Sequence, residues 1–165
     1  MMEPAVIEGD VSDLEAIAEI YAHYALTSIH TFDVEPKSRT WWEEWFTAFG
    51  EGRYQLLVAR LDDVVAGYAW TGPYRDRPAY EPSVSTSIYV DPARVGQGIG
   101  TALYDRLIPS LAERDVHRAY AAIALPNPAS VALHERSGFR KVAHFSEQGR
   151  KFGCYVDVAW YELPC

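Results

Sequence analysis

The segment Arg94-Val95-Gly96-Gln97-Gly98-Ile99-Gly100-Thr101 constrains this chain more than any other. It follows a strand-type run, Val84 to Val90, and opens a stretch in which Ile99, Leu103, Leu107 and Leu111 recur at helical spacing. Glycine at 96, 98 and 100 lets backbone N–H groups face inward with no Cβ in the way. Those donors, together with the positive end of a helix, make a seat for a phosphate or pyrophosphate. One charge at such a terminus gains only about 0.3–1 kcal/mol, so several donors must act together. Two familiar phosphate motifs do not fit. A P-loop needs Lys then Ser or Thr after its last glycine, where this chain has Thr101-Ala102. A dinucleotide fingerprint needs a glycine at position 101 and a place at the first strand of a βαβ unit. Two readings stay open at this point: an anion-holding turn, or a merely tight connection between strand and helix.

The rest of the chain supplies the frame. Ala5 to Glu8 reads as a short strand, and Asp10 caps a helix with Leu14, Ile17, Tyr21 and Tyr24 on one face. Thr27 to Pro36 connects it to a second helix, capped by Ser38, whose Trp42, Trp45, Phe46 and Phe49 form a stripe. Tyr54 to Leu61 and Val64 to Trp70 read as a hairpin turning at Asp62-Asp63. A loop rich in Pro, Arg and Tyr runs from Gly72 to Pro82. After the glycine-led helix comes a buried-type strand, Arg118 to Ala124. Asn127-Pro128 then opens a short helix that Gly138 closes. Lys141 to Phe145 and Cys154 to Tyr161 are the closing strands. The order β-α-α-β-β-β-α-β-α-β-β predicts an α/β fold, a mixed sheet with helices on both faces. At 165 residues it reads as a single domain, 1–165.

Charge and cysteine content narrow the function classes. Fifteen Lys+Arg against 23 Asp+Glu give a formal charge of −8, which repels nucleic-acid backbones. The longest strand-like run without charge, Ala119 to Leu125, is too short to span a bilayer. Met1-Met2-Glu3-Pro4-Ala5 has neither the basic nor the apolar part of a secretory leader, so a cytoplasmic location is expected. Cys154 and Cys165 form no CxxC pair. The five histidines (His23, His30, His117, His134, His144) show no metal-ligand spacing, so no metal is expected.

The run Ile88-Tyr89-Val90-Asp91-Pro92-Ala93-Arg94-Val95-Gly96-Gln97-Gly98-Ile99-Gly100 resembles the cofactor motif of the GNAT superfamily of N-acetyltransferases. About thirty residues on, Asn127-Pro128-Ala129-Ser130-Val131-Ala132-Leu133-His134-Glu135-Arg136-Ser137-Gly138-Phe139 resembles that superfamily's second motif. Thr31-Phe32-Asp33-Val34-Glu35-Pro36, Gly67-Tyr68-Ala69, Ala79-Tyr80, Leu125-Pro126-Asn127 and Lys151-Phe152-Gly153 are similar to words of the phosphinothricin and methionine sulfoximine acetyltransferase branch. The resemblance implies a mixed, mostly antiparallel sheet, a homodimer, and direct transfer from acetyl-CoA to the amine of a small molecule such as an amino acid or its analogue. It implies that the backbone of Ile88, Tyr89 and Val90 pairs with the pantetheine arm. Val95, Gly96, Gln97, Gly98, Ile99, Gly100 and Thr101 would then cradle the pyrophosphate, with Asn127 and Ser130 near the arm. By the same resemblance His134 faces the thiol and can return a proton to it. Phe32, Arg75, Arg77 and Tyr80 are the expected substrate contacts, the arginines suited to a carboxylate. Two alternatives share the fold: a protein or peptide N-terminal acetyltransferase, and a CoA-binding module with weak catalysis.

The chain departs from the branch pattern at the base. Ser85 stands where a glutamate is usual, and a serine hydroxyl orients water without accepting a proton at neutral pH. Glu81, four residues earlier, would share its face if the strand reached that far, and would act through water. Making a lysine-like amine of pKa about 10.4 neutral at pH 7 costs about 4.6 kcal/mol. An α-amine of pKa about 7.7–8.0 costs only about 1–1.4 kcal/mol. A missing strong base therefore favours the α-amine.

Overall fold

The computed structural model describes residues 3–165, so Met1 and Met2 of the expected leader-free start lie outside the described residues. The strands are β1 (Ala5–Glu8), β2 (Leu56–Leu61), β3 (Val64–Pro73), β4 (Ser83–Val90), β5 (Arg118–Leu125), β6 (Arg140–Lys151) and β7 (Cys154–Pro164). The helices are α1 (Leu14–Thr27), α2 (Arg39–Phe46), α3 (Ile99–Glu113) and α4 (Pro128–Arg136). The seven strands make one sheet in the order β1-β2-β3-β4-β5-β7-β6. Every neighbouring pair is antiparallel except β4 with β5, so the sheet is mixed and mostly antiparallel, as expected.

Period-2 patterning puts a different core on each face. Ile99, Leu103, Leu107 and Leu111 of α3, none more than 1% exposed, pack on Val84 of β4, on Ala121 and Ile123 of β5 and on Tyr161 of β7. On the opposite face Ile17, Ile20 and Tyr21 of α1 and Trp42 of α2 pack on Leu56, Val58, Val65 and Tyr68. Each large side chain buried in this way stabilises the fold by about 1.5–3 kcal/mol. The aromatic stripe of α2 is core: Trp42 is buried, and Trp45, Phe46 and Phe49 pack against its cluster.

Several boundaries differ from expectation. α2 stops at Phe46, and Phe49 reaches Trp45 from the following turn, ring centroids 4.6 Å apart. β2 begins at Leu56 and β3 runs on to Pro73. β6 is far longer than Lys141 to Phe145, because a two-sided exposed strand with two register shifts has no clean alternation to read. Pro82 has no N–H for the ladder, and β4 starts just after it, at Ser83. The strand therefore does not extend to Glu81.

Candidate active site

The parallel pair β4–β5 is where the sheet opens. Pairing runs from Ser83↔Arg118 through Val84↔Ala119 to Ser85↔Tyr120 and then stops. Past that point the strands diverge, and a cavity of about 820 Å³ lies between them. Its walls include Thr86 to Val90 of β4 and Ala121 to Ala124 of β5.

The backbone of β4 presents an unpaired edge to this opening. Asp91 N–H donates to Ala66 O at 2.9 Å, so Asp91, and with it Tyr89 and Ser87, turn their amide groups toward β3. Alternation then turns the N–H and C=O of Thr86, Ile88 and Val90 toward the cavity. Tyr24 of α1 reaches across and donates from its hydroxyl to Val90 O at 2.6 Å. Burial, with Asp91 second, raises the Tyr24 phenol's pKa and keeps it a donor.

Both helix N-termini that follow these strands border the same opening. Gly96 and Gly98 hold φ of +82° and +79°, the left-handed region that glycine tolerates, and Gly98 caps α3. A Cβ at either would meet nothing within 4 Å, so the conformation selects glycine here, not crowding. Asn127 Oδ1 accepts from Ser130 N–H at 3.2 Å and caps α4, with Pro128 at its first position. Of the expected cofactor residues, Ile88, Tyr89, Val90, Val95, Gly96, Gly98, Ile99, Gly100, Thr101, Asn127 and Ser130 line the cavity, and only Gln97 does not. Arg94 lies beside Asp91, Nε to Oδ2 3.8 Å.

His134 also borders the cavity and is buried in its floor. Gly138, at φ +92°, lets Phe139 N–H donate to His134 O at 3.0 Å, and this closure brings the Phe139 ring to 5.1 Å from the imidazole. Both ring nitrogens have partners: Nδ1 is 2.8 Å from Ser130 O and Nε2 is 2.9 Å from Tyr104 Oη. Burial lowers its pKa, and the Ser130 carbonyl opposes that shift.

The remaining expected residues are not gathered here. Ser85 faces away from the cavity walls, its Oγ 3.3 Å from Pro73 O and 3.4 Å from Gly72 O. Glu81 is exposed at the end of a single helical turn, Pro78–Tyr80, and pairs with Arg53 at 3.0 Å. The expected shared face with Ser85 does not form. Arg75 lies over the Tyr74 ring at 5.2 Å, Tyr80 meets that ring edge-on at 5.6 Å, and Arg77 is exposed beside them. Phe32 sits on Gly149 of β6, where a Cβ would come within 2.2 Å of the ring. No motif pointed to Thr86, Tyr24 or Tyr104. Thr86 follows Ser85 on the opposite face of the strand, and alternation is the one signal that singles it out. Among the described residues no cluster of three His, Cys, Asp or Glu could hold a metal ion, and no helix is long and apolar enough to cross a membrane.

A mixed sheet that parts between two parallel strands, with a bared strand edge and two helix N-termini at the gap, defines an acyl-CoA N-acyltransferase architecture. The Acetyltransferase (GNAT) family matches residues 14–139, and the chain belongs to it: it is an N-acetyltransferase of this family. It is 47% identical over 165 residues to a phosphinothricin N-acetyltransferase of Streptomyces coelicolor, across 98% of this chain and 96% of the relative. It is 34% identical to an L-methionine sulfoximine/L-methionine sulfone acetyltransferase of Salmonella typhimurium, across 94% of this chain and 91% of that one. A solved phosphinothricin acetyltransferase from Sinorhizobium meliloti, in complex with AcCoA, superposes with TM-score 0.94 at 30% identity, covering 99% of this chain and 89% of that one.

Proposed function

We propose that the cavity takes acetyl-CoA and passes its acetyl group to the α-amino group of a small amino acid or amino-acid analogue. One observation carries this reading: the bared β4 edge and the Gly96–Gly98 turn lie on one cavity, so an extended arm and a pyrophosphate fit it together. Residues 95 to 101 supply backbone donors and the α3 terminus to the pyrophosphate. Thr86, Ile88 and Val90 offer a strand edge to the arm's amides, with Asn127 and Ser130 on the far wall. Bound acetyl-CoA contributes the activated acyl group. The chain contributes positioning and backbone donors of the bared β4 edge aimed at the carbonyl oxygen.

The relatives' names support an amino-acid-like acceptor, and Ser85 in place of a carboxylate supports an amine of low pKa. A single domain, 1–165, is supported by the one seven-stranded sheet that joins strands from Ala5 to Pro164. A homodimer is supported by Val142, Phe145, Phe152 and Tyr155, all exposed on the β6–β7 hairpin. A cytoplasmic location is supported by two cysteines without a disulfide. Thiol release measured against a panel of amines tests the function. Turnover with α-amino acids or their analogues is expected; release only with peptide N-termini, or with nothing, would replace the reading.

A further inference from the structure

A buried polar chain links two residues of the cavity wall, Thr86 and His134, through Tyr104, which does not line the cavity. Thr86 is the first β4 residue beyond the last β4–β5 pair, and it lines the cavity. Its Oγ1 rests 3.4 Å from Tyr120 O and 3.4 Å from Tyr104 Oη. Tyr104 Oη in turn is 2.9 Å from His134 Nε2. Exposure is 6% at Thr86, 1% at Tyr104 and 3% at His134, so bulk water does not compete for these groups.

The proton positions follow from what each atom can do. Ser130 O only accepts, so His134 Nδ1 carries the hydrogen and donates it, and in the neutral ring Nε2 is an acceptor. Tyr104 then gives its single hydroxyl proton to Nε2. When His134 is protonated, Nε2–H donates to Tyr104 instead, and the phenol is released to donate to Thr86 Oγ1. One hydroxyl therefore has two acceptors in reach and alternates between them with the charge on His134. The separations at Thr86 are long, as they are at catalytic sites before substrate tightens them.

We propose that Thr86, Tyr104 and His134 form a proton shuttle at the vertex of the split sheet, with Tyr104 the positioning residue that couples His134 to the reacting atoms. The amine arrives neutral, its ammonium proton lost to solvent. As the N–C bond forms, the proton leaving nitrogen enters at Thr86 Oγ1. The Thr86 proton moves to Tyr104, and the Tyr104 proton moves to Nε2. The C–S bond breaks with its electron pair on sulfur, and the same path run backward puts one proton on sulfur. The balance is one amine and one thioester in, one amide and one thiol out, with His134 neutral again.

The groups packed against His134 from other elements are Tyr104 of α3, Phe139 and Tyr161 of β7. Its neighbour Glu135 faces Tyr161. The influences on the imidazole are burial and the Ser130 carbonyl, with no charged side chain among them. Burial also raises the Tyr104 phenol's pKa, which keeps it a neutral relay.

The shuttle rests on the cavity being the place of acyl transfer, and the experiment separates the two. Tyr104→Phe and Thr86→Val each remove one link while keeping shape, so either serves if the other does not fold. At pH 7 each should lower kcat about 10²-fold. The deficit should shrink as pH rises past about 8.5, where a thiol leaves as thiolate without needing a proton. A deficit equal at every pH, or none, overturns the shuttle; a wild-type chain that releases thiol with no amine overturns the function instead. Independently of activity, nitrogen NMR of the wild-type protein at pH 7 should find His134 with Nδ1 protonated and Nε2 bare. The opposite tautomer, or a charged ring, would refute it.

Discussion

Replacing Gly98 with leucine tests whether the glycine turn is an anion seat, and Gly153 supplies a matched control. Gly98 has φ +79° and Gly153 has φ +76°, and a Cβ at either meets nothing within 4 Å. The backbone penalty of a side chain should therefore be alike at both, about 1–2 kcal/mol for the left-handed region. For a chain of this size that lowers Tm by roughly 2–8 °C. Their surroundings differ. Gly98 caps α3 beside the cavity, whereas Gly153 lies in the tight turn between β6 and β7. A hydrogen bond to a charged acceptor contributes about 1.5–3 kcal/mol, so displacing two loop amides from a pyrophosphate costs about 3–6 kcal/mol. That is about a 10²–10⁴-fold weaker Kd. Calorimetric titration with acetyl-CoA, paired with thermal melts of both variants, reads the two quantities separately. Equal melting shifts with lost affinity only in Gly98→Leu is the expected result. Unchanged affinity in Gly98→Leu, or an equal loss in Gly153→Leu, would refute the assignment of the turn.

Leu103→Ala should cost about 2–5 kcal/mol in denaturant unfolding, because Leu103 is fully buried under the sheet. His134→Gln should flatten the acid side of the stability curve. Burial holds the folded-state pKa of His134 below its ordinary 6.5. The unfolded chain therefore takes up the proton first as pH falls through 6.5, and wild-type stability, complete above that value, declines below it. Melting at pH 7 and pH 5.5 measures the difference, and equal slopes in both proteins would count against a buried neutral ring. Wild-type turnover should climb between pH 6 and 9 as the amine titrates. A flat wild-type profile that favours lysine-like amines would reveal a base elsewhere.

What the sequence discloses here is what depends on neighbours a few residues apart. The glycine turn before α3, the cap at Asn127, the stripe from Ile99 to Leu111 and the alternation in β4 are all local, and all formed. The continuation of β6 past Phe145 was hidden because it is an exposed edge carrying Ser146, Glu147 and Gln148, with no buried face to set a period. Tyr104 was hidden for the opposite reason. It sits in the buried stripe next to Leu103, where an aromatic residue reads as core, and its hydroxyl gains meaning only from Thr86 and His134 on other elements. The expectation for Glu81 failed on one local detail, the proline at 82 that stops the ladder.

The opening of the sheet and the anion seat have a common cause in the single parallel pair. Antiparallel neighbours can be joined by a tight turn, but parallel β4 and β5 need a crossover, and α3 is that crossover. A crossover helix leaves from the C-terminal end of its first strand and runs back along the sheet. Its positive terminus must therefore stand at the C-terminal end of β4, the end at which β4 and β5 have parted. α4 starts just after the C-terminal end of β5 and adds a second terminus at the same gap. Ligands of open α/β sheets gather at the carboxyl ends of strands for this reason. Here the gap also bares the inward-turned amides of Ile88 and Val90, so an extended, anion-bearing molecule finds both of its requirements at one place. The vertex of that gap is fixed by the last pair, Ser85↔Tyr120, and the side chain at the vertex on the α3 side is Thr86. The reacting carbonyl of an arm laid along β4 then has a hydroxyl at the vertex where the strands meet, and that hydroxyl leads through Tyr104 to His134.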